Sequence, residues 1–154
     1  MPNLPTLAKI LFLTVLVDAC SAVARADCYG ALREPLARGG YTGELDCKLV
    51  EVTINKIGQV VAAGVPFEAY DVHYKTRSAD GMAPHGGQRI LFFDSVGIYL
   101  GQYSVSTPPF LDFRIEGGAL LANVPSQAGN KINLTPLGPP ATTFLNEEVV
   151  SFYK

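Results

Sequence analysis

From residue 48 onward the chain alternates between apolar and polar side chains at the spacing of β-strands, and turn residues break the alternation at short, regular intervals. Residues 48–54 place Val50, Val52 and Ile54 on one face, and 59–63 form a short apolar run after Gly58. Residues 67–76 put Tyr70, Val72 and Tyr74 on one side and Asp71, His73 and Lys75 on the other. The stretch 89–93 is apolar at every position after Arg89, which predicts a strand covered on both faces. Asp94-Ser95-Val96-Gly97 has the form of a turn closed by a left-handed glycine, with 98–105 as the returning strand. Leu111, Phe113 and Ile115 alternate strictly with Asp112, Arg114 and Glu116. Gly117-Gly118 then reads as a two-residue hairpin turn before 119–124. Short strands at 131–134 and 148–153 complete the pattern. Ahead of them, residues 28–38 carry the one helical signal, shortened by Pro35 and stopped by Gly39-Gly40. These elements predict a mainly β domain, an antiparallel β-sandwich or small β-barrel of about eight short strands with one short N-terminal helix.

Residues 1–26 follow a different pattern. Lys9 precedes the apolar run Ile-Leu-Phe-Leu-Thr-Val-Leu-Val (10–17), and Ala24-Arg25-Ala26 has the small-x-small form of a cleavage site. The run is far short of the roughly 20 residues that span a bilayer. It predicts a secretory signal peptide over 1–26, a single β-rich domain over 27–154 that begins at Asp27, a periplasmic or secreted location, and no transmembrane span after cleavage. The run Leu16-Val17-Asp18-Ala19-Cys20 gives a minority alternative, a lipoprotein anchored at Cys20, against which Asp18 stands where a small uncharged residue is usual.

Export changes the meaning of the cysteines. Of the 3 in the chain, Cys28 and Cys47 remain after cleavage. An even pair in an exported chain predicts a disulfide, here closing a loop of about 20 residues and stabilising the fold by roughly 3 kcal/mol. The spacing does not suit a Cys-x-x-Cys redox pair.

Composition narrows the function classes. With 154 residues, 48% hydrophobic and 17% charged, the chain is long and apolar enough for one packed domain and too apolar for disorder. A net charge of −2 lacks the basic surplus of a nucleic-acid binder. Neither a Gly-x-Ser-x-Gly elbow nor a Gly-rich phosphate loop occurs. The carboxylates Asp94, Asp112, Glu116, Glu147 and Glu148 have no spacing that pairs them for glycoside chemistry.

Three features could carry chemistry. Asp71 and His73 share the polar face of their strand, where a carboxylate can orient an imidazole for proton transfer or ligation. The longest polar connection, residues 77–88, carries His85. The bland alternatives are a water-facing strand surface and a solvated loop tip, and no metal or cofactor is expected. Tyr99 and Tyr103, expected on one strand face, and Tyr70 and Tyr74 on another, can line a groove or pack across strands. Asn133-Leu134-Thr135 is a glycosylation sequon, relevant in a eukaryotic secretory pathway alone. Gln59-Val60-Val61-Ala62-Ala63-Gly64 resembles the Gln-x-Val-x-Gly hairpin of the cystatins, inhibitors of cysteine proteases. The match covers six residues with one too many before Gly64. The long helix of that family is interrupted by Pro35, and its Pro-Trp hairpin has no counterpart in a chain without Trp. The similarity assigns no family. The expectation is therefore an exported binding or interaction protein, an inhibitor or envelope-assembly component whose partner is another protein or an envelope component. The alternative is a small hydrolase or metal-dependent enzyme using Asp71, His73 and His85.

Overall fold

A computed structural model describes residues 27–45, 47, 50–76, 85–105, 110–124, 129–145 and 147–154. Among them are nine antiparallel strands in three sheets, with one short helix at the N-terminal side. The first sheet is a four-stranded meander of β1 (Val50–Ala62), β2 (Val65–Thr76), β3 (Gly86–Asp94) and β4 (Tyr99–Val105). The second contains β5 (Asp112–Glu116), β6 (Ala119–Asn123) and β7 (Asn130–Ile132), and the third is the hairpin of β8 (Thr142–Leu145) and β9 (Glu148–Ser151).

The turns form as their residues dictate. Gly97 takes φ +80° and donates its N–H to the Asp94 carbonyl at 3.1 Å, while Asp94 Oδ1 accepts the N–H groups of Val96 and Ile98. Gly117 and Gly118 both adopt positive φ, as a two-residue hairpin of the primed kind requires. The helix α1 (Arg33–Arg38), entered by a 3-10 turn at Gly30–Leu32, tolerates Pro35 because that residue lies in the first turn, where an N–H has no intrahelical partner. Gly40 at φ +81° then ends it, with the Tyr41 N–H bonded back to the Leu36 carbonyl at 3.0 Å.

Two bulges shape the first sheet. The stretches 48–54 and 59–63, read separately from the sequence, meet in the one strand β1, which contains Val50–Ile54 and Gln59–Ala62 of them. The register slips between Lys56 and Gly58, leaving Ile57 as the extra residue. A second slip lies opposite Phe92 and Phe93, where Leu100 is extra in β4. Each bulge exchanges the faces of its strand. Tyr99 therefore packs on one side of the sheet and Tyr103 on the other, against the expectation of a shared face.

Both faces of this sheet are covered. On one side Val60, Ala69, Ile90, Phe92 and Tyr103 pack with Leu111, Phe113, Leu120 and Ile132 of the second-sheet segment and with Leu145. On the other, Val72, Leu91, Phe93 and Tyr99 pack against Tyr29, Leu36 and Tyr41 of the N-terminal segment. The all-apolar stretch of β3 is thus buried twice over, Ile90 and Phe92 toward one cluster and Leu91 and Phe93 toward the other. The Cys28–Cys47 disulfide is formed, with a Cα–Cα distance of 5.6 Å, and closes the N-terminal segment over its cluster.

Close approaches of β1 to β5, β7 to β8 and β4 to β9 carry the three sheets around the first cluster. Gln102 and Tyr153 exchange backbone hydrogen bonds of 2.8 and 3.1 Å at the β4 edge, but the ladder does not continue into a closed barrel. The antiparallel ladders of the two sheets, joined by the hydrogen bonds of Gln88 to the Leu111 backbone, put the strand ends that flank the β2–β3, β4–β5 and β6–β7 connections at the same end of this core.

Candidate functional site

At that end, on the inner face of the first sheet, lie the two residues that the sequence placed on a water-facing surface. Asp71 and His73 follow Ala69 in β2 at two-residue steps, so they share its face, the one turned toward the second sheet. Their side chains are 14% and 34% exposed. Half-burial has a direct cause. Phe110 stands edge-on to the imidazole, with ring centroids 5.1 Å apart at 90°, and Leu111 beside it is buried. The solvent-facing reading of this strand surface is therefore corrected.

The second member of the site went unnoticed as a candidate in the sequence. Gln88, at the end of the 77–88 connection, belongs to β3 and pairs with His73 across the ladder. It is fully buried. Its Oε1 accepts the Leu111 N–H at 2.8 Å, and its Nε2 donates to the Leu111 carbonyl at 2.7 Å and to Asp71 Oδ1 at 2.9 Å. A buried amide with every one of these groups matched is a strong positional constraint. It ties the chain entering β5 to β2 and leaves Asp71 Oδ2 for His73, 2.9 Å from Nε2.

A cavity of about 350 Å³ opens beside this network, lined by Glu51 and Thr53 of β1, His73, Tyr74 and Lys75 of β2, Gly86 and Gly87 of β3, and Phe110. Its size and its mix of aromatic and polar groups suit a small ligand or a side chain of a partner. Three of its contributors, Glu51, Thr53 and Phe110, carried no signal in the sequence beyond ordinary strand and loop composition.

The remaining candidates are dispersed. His85 is exposed, and its backbone is tied to Thr76, whose N–H and hydroxyl both donate to the His85 carbonyl. No described contact brings its imidazole to Asp71 or His73. Residues 77–84 of the same connection, Cys20 and the rest of residues 1–26 lie outside the described residues. Asp94 is used by its turn, and Glu116 pairs with Arg114 at the surface at 3.1 Å. Among the described residues no three His, Cys, Asp or Glu side chains converge as metal ligands, and no helix is long and apolar enough to cross a membrane. Asn133 of the sequon is exposed.

The tyrosines serve packing. The Tyr99 ring packs tilted against its cross-strand partner Phe93 at 5.6 Å, and Tyr103 lies edge-on to Phe92 at 5.8 Å. Tyr70 lies edge-on to Phe93, and the Arg89 guanidinium sits 4.4 Å over the Tyr74 ring. Burial pushes the pKa of the Tyr29, Tyr99 and Tyr103 phenols well above the usual range, with the hydrogen bond between the Tyr29 and Tyr41 hydroxyls adding to the effect at Tyr29. Of these hydroxyls, that of Tyr103 donates to the Pro140 carbonyl, and that of Tyr99 is buried without a hydrogen-bond partner among the described residues.

Chemically, the arrangement offers one oriented imidazole. Asp71 holds His73, and His73 hydrogen-bonds among the described residues to Asp71, with Gln88 at a looser 3.4 Å, and to no hydroxyl or thiol. Such a pair can accept a hydrogen bond from a ligand or a proton from water. Comparison of the chain with protein-family models, with curated proteins and with solved structures gives no match.

Proposed function

We propose that the protein is exported and acts by binding, through the end of the core where the β2–β3, β4–β5 and β6–β7 connections emerge. Its partner is another protein or an envelope component. The observation that supports this is the recess lined by His73, Phe110 and the neighbouring strand residues on a sheet covered on both faces, with no nucleophile hydrogen-bonded to the imidazole among the described residues. Loops at one end of a rigid β scaffold are a common place for recognition. The proposal includes cleavage after Ala26, with the lipid anchor at Cys20 as its variant form. Capture from native envelope or culture fluid tests it. The wild-type chain is expected to retain a partner that Phe110→Ala loses, and equal retention by both overturns the assignment of the surface. Intact mass tests export: a mature chain beginning at Asp27 is expected, and a retained Met1 excludes both cleaved forms.

One observation favours a second reading. The 2.9 Å contact between Asp71 and His73 is the geometry of a carboxylate-oriented general base, which a small hydrolase would use on water. Ester or amide turnover that disappears in His73→Ala, with folding retained, would establish it.

A further inference from the structure

The hydrogen bonds around Gln88 fix which nitrogen of His73 carries the proton, and from that the chemistry of the ligand follows. An N–H group can do nothing but donate, so the Leu111 N–H, 2.8 Å from Gln88, identifies the atom facing it as the amide oxygen. The amide nitrogen then faces the Leu111 carbonyl and Asp71 Oδ1, and its two hydrogens are used there. Its 3.4 Å approach to His73 Nε2 carries no hydrogen. Asp71, as a carboxylate, accepts alone. His73 Nε2, 2.9 Å from Oδ2, must therefore carry a proton, and in the neutral form of the ring it is Nδ1 that bears the lone pair. No hydrogen bond among the described residues engages Nδ1.

The ligand must then bring a donor to His73. The rest of the recess limits what else it can be. Phe110, 38% exposed, offers an apolar surface. Thr53 adds a hydroxyl. Glu51 and Lys75 face each other as cross-strand partners, so neither sign of ligand charge is favoured by the wall as a whole. A neutral molecule with hydroxyl groups on one side and a C–H face on the other meets all of these conditions. We infer that the recess binds a saccharide unit, one of whose hydroxyls donates to His73 Nδ1 while its apolar face lies on Phe110. This rests on the reading of that end of the core as the contact surface, and names the chemistry it recognises.

Long-range proton–nitrogen NMR correlation on the intact, histidine-labelled protein tests the first step. The chain has two histidines, and exposed His85 serves as the internal reference. The expected result, read at a pH where the ring is neutral, is the Nε2-protonated tautomer of His73; the Nδ1-protonated tautomer overturns the inference. Titration with methyl glucoside and N-acetylglucosamine tests the second step. Saturable movement of the His73 and Phe110 signals by at least one of them is expected. The His73→Phe variant, which keeps a ring and removes the acceptor, should weaken that binding about 3- to 10-fold, the worth of one neutral hydrogen bond. No saturable movement with either sugar, or undiminished binding by His73→Phe, overturns the proposal. If partner capture depends on Phe110 while both sugars fail, the saccharide assignment falls and the contact surface stands. If the sugars bind and capture is indifferent to Phe110, the reverse holds.

Discussion

Gln88 shows how much one polar side chain can hold together. It has no exposed surface, and three of its hydrogen bonds cross from β3 to the Leu111 backbone and to Asp71. Gln88→Leu would leave the Leu111 N–H and carbonyl buried without partners, and a buried unmatched group costs about 1–3 kcal/mol. We expect a loss of about 3 kcal/mol in urea unfolding, and a change in the His73 nitrogen signals as Asp71 is released. A milder case lies on the outer side of the same sheet. Glu68 accepts a 2.7 Å hydrogen bond from Lys56, which holds its carboxyl below the usual carboxylate range, assisted by the Tyr70 hydroxyl and opposed by burial. A carboxyl depressed in the folded state contributes stability above its unfolded range, and that contribution disappears as pH falls through the folded value. The pair is partly solvated, so Glu68→Gln should cost no more than about 1 kcal/mol near neutrality. The difference from wild type should vanish in acid, a comparison that denaturant melts at both pH values would make. A constant difference would show that packing, and not charge, sets the effect.

At the scale of elements, the bulges decide which side chains meet. Gly101 follows the extra residue Leu100 at φ +153°, and a Cβ there would lie 2.6 Å from the Phe152 ring and 2.8 Å from the Tyr153 carbonyl. Phe152 occupies the space that the glycine leaves, touching Phe92 and Tyr103. Gly101→Ala should therefore destabilise by about 1–3 kcal/mol through overpacking and backbone strain, seen as a lower denaturation midpoint. The same bulges mark the limit of what the sequence disclosed. Alternation and turn residues located most strands, and the uniform apolar stretch of β3 correctly announced burial on two sides. The Gly58 gap read as a break because an isolated glycine signals either a turn or a bulge, and the bulge form joins two strands into one. Tyr99 and Tyr103 separate for the same reason. β8 leaves no strand signal in the sequence, because Thr142–Leu145 is short, mostly exposed and adjacent to a proline-rich loop. Asp71 and His73 were found as a pair because two-residue spacing guarantees a common face. Which face it was could not be read from polarity, since both sides of the sheet are covered and a polar pair at the end of an inner face looks like a pair facing water. Gln88, Phe110 and the Leu111 backbone meet them through long-range register, which local pattern does not encode.

The whole molecule divides its stability between two clusters separated by one sheet. The cluster between the sheets is built by strands distant in sequence, whereas the outer one depends on the N-terminal segment. That segment is held covalently by Cys28–Cys47 and non-covalently by Leu36, Tyr29 and Tyr41, all buried against Tyr99 and its neighbours. Tyr41 also accepts a 2.5 Å hydrogen bond from Arg89, and the Tyr29 and Tyr41 hydroxyls are 2.9 Å apart. Replacing both cysteines by serine should cost about 2–5 kcal/mol, measured as a lower unfolding midpoint. The β core should keep its circular dichroism, because none of its ladders passes through the segment. Leu36→Ala, which opens a cavity under the same segment, should cost a comparable 2–5 kcal/mol with the disulfide intact.

Ile57 has a consequence for how this chain can change. Its side chain packs on the inner cluster, yet what the fold uses most is the presence of a residue there, since the odd count turns Val60 inward while Val52 and Ile54 face the other way. Exchange of Ile57 for Val should be nearly silent. Removal of the residue would invert the facing of everything between it and the hairpin, sending Val60 outward and Gln59 into the core. The strand thus behaves like a reading frame, tolerant of substitution at this position and intolerant of a change in length.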